Sequence, residues 1–148
     1  MCIILSQFEA LTRAMWLFYA TSDDKLDSRV NITQKLTSSA DQKPNNADMI
    51  KTLEGKAPED AVKMLKDFRD VQWKALNSYV HAGAHVMLRH GEGYPVELLE
   101  RIIKSSNGLL SVTAMMAAIL TRNKIITKDT AAIQKRHVDC LPELLPNN

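Results

Sequence analysis

WKALNSYVHAGAHVML, residues 73–88, decides how this chain is read. An asparagine and two histidines stand four residues apart in it, Asn77, His81 and His85. On a helix they share one side. At about 100° per residue from Leu76, a broad apolar face carries Val62, Leu65, Trp73, Tyr79, Val80 and Met87. The three polar residues fall at about 100°, 140° and 180°, away from that stripe. Their angles describe a solvated face, but the composition around them does not. Lys74 is the only charge between Val71 and Leu88, and the far side otherwise holds Val71, Ala75, Ser78, Ala82 and Ala84. A surface helix shows several Lys and Glu there. This half of the helix is therefore expected to be covered on most sides, with its histidines at least partly buried. Such groups need partners, because an unmet buried one costs about 1–3 kcal/mol.

The same periodicity dominates the rest of the chain, and no alternating run of β-branched residues suggests a sheet. The long helix starts at Ala57-Pro58-Glu59-Asp60, with Pro early and acids in the first turn, and runs to about His90. Gly91 to Pro95 break it. Another helix follows from Val96 to about Asn123, with an interruption expected at Ser106-Asn107-Gly108, and a short one spans about Thr130 to His137. Residues 1 to about 20 form a first helix, apolar nearly all round apart from Gln7, Glu9 and Arg13. Ser22-Asp23-Asp24 offer a cap for a polar second helix, and MIKTLEGK forms a short one stopped by Gly55. The expectation is an all-α fold, one helical bundle of about four to six helices around a long central one. It fills a single domain, 1–148, with a polar linker at about 38–48 and a flexible tail at about 139–148.

Composition bounds the function classes. At 148 residues the chain can bury one core unaided. Hydrophobic residues at 45% and charged residues at 24% are ordinary for a soluble globular protein. A net charge of +2 gives no support for a dedicated nucleic-acid binder, while leaving room for a local basic patch. Cys2 and Cys140 make neither a disulfide framework nor a CxxC site, so a cytoplasmic setting is expected. The apolar start lacks a basic flank and is broken by Glu9 and Arg13, against a signal peptide. LLSVTAMMAAIL, 109–120, is too short to span a bilayer, so no membrane partner is expected.

Glu9 and Arg13 are spaced i,i+4 in an otherwise apolar helix, where buried charges must be paired. The economical arrangement sets them against Asn77, His81 and His85 in a shared interior polar cluster. QFEALTRAMWLFYATSDD followed by WKALNSYVHAGAH resembles an uncharacterised bacterial all-helical family. Its members carry a "FEAL-R-LWL" helix and an "ALNS-aromatic-x-H-x-G" segment, and it is loosely similar to HEPN-like and abortive-infection proteins. Phe8, Glu9, Arg13 and Trp16 stand on the first motif, and Asn77, Ser78, His81 and Gly83 on the second. The resemblance implies a helical segment upstream of the first motif, which suits the uncapped start and implies a truncated chain. It also implies a place in defence loci or toxin neutralisation. The HEPN ribonuclease signature, Arg followed after four to six residues by His, does not occur.

His81 and His85 could place two imidazoles on one metal ion, but only Glu9 offers a third ligand and HExxH is absent, so no metal is assigned. Ser78 with His81 or His85 lacks a nucleophile elbow. No P-loop or GxGxxG occurs, and no cofactor is expected. The residues thus favour an interaction or regulatory protein over an enzyme, with Asn77, Ser78, His81, His85 and Trp16 as binding candidates. The alternative is a divergent HEPN-like RNA-processing enzyme or hydrolase using Glu9, Arg13 and His81. A first helix apolar on nearly every side predicts a homodimer, or a protein partner, covering it.

Overall fold

The computed structural model describes residues 2–21, 44–73, 76, 91, 93 and 95–143. Among them every regular element is helical. Helix α1 spans Cys2–Met15 and ends in a π-helical turn, Trp16–Ala20; α2 spans Asn46–Leu53. Helix α3, Glu59–Asp67, passes into a second π-helical turn, Phe68–Trp73. Helix α4 is Val96–Leu120, α5 is Lys124–Arg136, and a 3-10 turn follows at Val138–Cys140. The fold is all-α.

Helix α1 supplies the centre of the core. Leu5, Phe8, Leu11, Thr12 and Met15 are buried, a stripe at helical spacing. The four apolar ones pack with Ile50 and Leu53 of α2, Val62, Met64 and Leu65 of α3, Phe68, Leu76, and Leu109 of α4. Phe8 is the hub. Its ring lies 4.7 Å from Phe68 and 5.5 Å from Trp73. Those two partners stand five positions apart, which a regular α-helix would turn well away from each other. The wider i→i+5 turn returns Trp73 to the side of Phe68, so both rings reach Phe8.

Thr12 is fully buried, and its Oγ1 finds no hydrogen-bond partner among the described residues. Thr12→Val keeps the shape and removes the orphan group, so it is expected to raise stability by about 1 kcal/mol. Urea melts check this; a lower midpoint would show that the hydroxyl is satisfied after all.

The ends of the helices follow local chemistry. Asn45 caps α2, its side-chain oxygen accepting from Asp48 N at 2.9 Å, so the last residues of the expected polar linker are already helical. Gly55, at φ 71°, turns the chain after α2 in a conformation that favours glycine. Lys66 Nζ meets Glu54 Oε1 at 2.7 Å across the connection to α3. Hydrogen bonding and charge from Lys66 hold the Glu54 carboxyl below its ordinary range. That contribution is present at neutral pH and is lost as pH falls through the lowered pKa. Both side chains are solvated, so it is small.

Two expectations about helix limits are corrected. Helix α4 runs unbroken through Ser106-Asn107-Gly108. Those residues are small for packing, not for a turn: a Cβ on Gly108 would lie 2.8 Å from Pro142 Cγ and 3.1 Å from Met64 Sδ. Asn107 Nδ2 donates to Cys140 O at 3.1 Å, and the segment after α5 is held there. Helix α5 begins at Lys124 and not near Thr130, because Asn123 caps it, accepting from Ile125 N at 2.9 Å.

Candidate functional site

Glu9 and Arg13 project from the flank of α1, about 100° and 140° from Phe8 around the helix. The structure corrects their expected burial as a pair. Arg13 is exposed and Glu9 half-buried, and among the described residues neither makes an ion pair or hydrogen bond. Arg13 keeps its charge in solvent and Glu9 is only partly covered, so the full burial cost that would force pairing does not arise. The two side chains instead share one wall of an open groove of about 740 Å3. Pro44 to Ala47, at the start of α2, form a second wall, and Arg69, Asp70 and Trp73 of the π-helical turn a third. Arg69 Nε donates to Asp70 Oδ1 at 2.7 Å.

The groove therefore alternates carboxylates and guanidiniums beside an indole. Sequence reasoning missed Arg69 and Asp70, because the π-helical turn that aims them has no signal in a 3.6-residue period. Trp16 is half-buried at the far end of α1, outside this groove, and its carbonyl accepts from Thr21 Oγ1 at 3.3 Å. Asn77, Ser78, His81 and His85 lie outside the described residues, and with them the expected contact to Glu9 and Arg13.

A second cleft, of about 470 Å3, separates the α3 side from the first half of α4. Met64, Phe68 and Leu109 floor it, and Glu97, Glu100, Arg101 and Lys104 line its rim. Gln72 Nε2 donates to Ser105 Oγ across it, while Gln72 Oε1 is buried without a partner among the described residues. Glu100 and Lys104 pair at 2.9 Å. The hydrogen bond and charge of Lys104 lower the Glu100 pKa, and Glu100 raises that of Lys104. Among the described residues no three His, Cys, Asp or Glu side chains are placed to hold a metal ion.

The unshielded apolar surface expected on the first helix lies mainly elsewhere. On α1 and its π-helical turn the large exposed apolar residues are Ile3 and Phe18. Helix α4, by contrast, exposes Val96, Leu99, Ile103, Leu110 and Leu120. Its 25 residues are long and apolar enough to cross a membrane by length and composition, which the shorter 109–120 stretch is not. Its inner side is occupied, with Ser105, Gly108, Leu109 and Ala118 buried.

A family model matches residues 1–143. The chain belongs to DUF6988, a family of unknown function. No curated protein and no solved structure matches it. Membership in DUF6988 thus agrees with an uncharacterised all-helical domain, and assigns no chemistry to either cleft.

Proposed function

We propose that this DUF6988 chain is a protein-interaction module whose working surface is the outer face of α4. One observation carries this: Val96, Ile103, Leu110 and Ala117 recur every seven residues and are all exposed. Leu99, Ser106, Thr113 and Leu120 follow each by three, and all but half-buried Ser106 are exposed. Apolar side chains at a and d positions form the seam against which another helix packs. None of the α4 charges, Glu97, Glu100, Arg101 and Lys104, falls on that seam. The resemblance to abortive-infection proteins suggests the setting, a cytoplasmic regulator in bacterial defence or toxin neutralisation.

A second reading is supported by the groove that Glu9 and Arg13 share. It is open to solvent, as an RNA-processing or hydrolytic site must be, and its chemistry would need His81. Parallel tagged purifications from the native host separate the two, using the wild-type chain, Leu110→Glu and Arg13→Ala. The module reading expects a companion protein or second copy that is lost with Leu110→Glu and kept with Arg13→Ala. Capture unaffected by Leu110→Glu, together with RNA cleavage abolished by Arg13→Ala, would favour the enzyme.

A further inference from the structure

We infer that α4 pairs antiparallel with the α4 of a second copy, across a two-fold axis near Gly108. This rests on the outer face of α4 being the working surface, and it names the occupant. The repeat is matched to itself. In an antiparallel pair each a position faces a d position of the other helix. Val96 then meets the partner's Leu120, Leu99 the partner's Ala117, and Ile103 the partner's Thr113. Leu110 meets the partner's Ser106.

Every interior layer thus sets a large side chain against a small one, which is how facing positions fill space without voids or overlap. A parallel pair would crowd Val96, Leu99 and Ile103 against their own copies at one end. It would leave Thr113 and Ala117 underfilled at the other. The antiparallel arrangement also opposes the helix dipoles favourably.

Area points the same way. Val96 is 73% exposed, Ile103 60%, Leu110 59%, Leu120 56% and Leu99 43%. Together they present an apolar patch on the order of 500 Å2, at the upper end of what monomers leave open. Two such patches bury about 1,000 Å2, the threshold for a specific interface. Ile125, 70% exposed at the start of α5, extends the patch beyond Leu120.

A bilayer is the weaker occupant. The inner side of α4 is packed on the core through Leu109, and four charges occupy its first three turns. A lipid-spanning helix needs an apolar surface all round.

Sedimentation velocity on the full chain tests the pairing, with Ile103→Glu, Thr113→Lys and their equimolar mixture. Both positions are exposed, so the variants should fold, as circular dichroism verifies. The wild type is expected to sediment as two chains at micromolar concentration. Each variant should sediment as one chain, its self-association weakened ~100-fold by a charge trapped on an apolar layer. Mixing should restore two chains, because the new acid and base face each other only in the antiparallel register.

A wild type that remains one chain overturns the pairing, as does a dimeric Ile103→Glu. A mixture no better associated than its components overturns the register. If the lone wild-type chain holds a different protein through Leu110, self-pairing fails and the module reading survives. If it instead sediments with phosphatidylcholine–phosphatidylglycerol vesicles and loses them on Ile103→Glu, both fail.

Discussion

Phe8→Ala is expected to destabilise the fold by about 3–5 kcal/mol. Phe8 is fully buried, and its ring touches Phe68 and Trp73 from α1. Removing it discards the transfer energy of the ring and leaves a cavity. The neighbours cannot readily collapse into that space, because both sit on one π-helical turn whose geometry fixes their spacing. Domains of this size hold only about 5–15 kcal/mol in all, so the variant should be close to unfolding at ambient temperature. Guanidinium melts with an unchanged slope and a lower midpoint check the prediction. A loss below 1 kcal/mol, on the order of a surface change, would show that α1 is not the centre of the core.

Leu109→Ala is expected to cost about 2–5 kcal/mol, while Leu110→Ala, one residue on, should stay within about 0.5 kcal/mol. Leu109 is fully buried and ties α4 to the α1 and α3 cluster; Leu110 is 59% exposed. The comparison is made in dilute solution, where copies are apart, so the Leu110 value reports on the single chain. Equal costs would mean that α4 is covered on both sides, and that its outer seam is not available to a partner.

The all-α architecture was readable because 3.6-residue periodicity, sparse Gly and Pro, and local capping groups all agree. Pro58 with Glu59 and Asp60 marked the start of α3, and Gly55 the stop of α2, through elementary backbone chemistry. Four kinds of information were not readable. Ser106-Asn107-Gly108 has the composition of a break, yet a distant proline, Pro142, leaves no room for a side chain at Gly108. Propensity is local, and that close approach is not.

The π-helical turns changed the angular bookkeeping after Phe68, so Arg69 and Asp70 came to the Glu9–Arg13 groove without notice. The apolar composition of α1 as a whole implies burial of Glu9 and Arg13. Among the described residues of α1 it is the stripe containing Phe8 that is fully buried, and a composition count does not distinguish stripe from flank. The seven-residue repeat of α4 was present in the sequence throughout. It marks an outer seam only because the inner side is occupied by Ser105, Gly108, Leu109 and Ala118.

The most direct test of the α4 surface is the alkylation rate of a thiol at position 110. Leu110→Cys is prepared in a chain with Cys2 and Cys140 replaced by serine, with Leu109→Cys as the buried control. The α4 pairing predicts fast labelling of Leu110→Cys at nanomolar protein and marked protection at high micromolar concentration, with Leu109→Cys slow at both. A Leu110→Cys rate that is the same at both concentrations would contradict it.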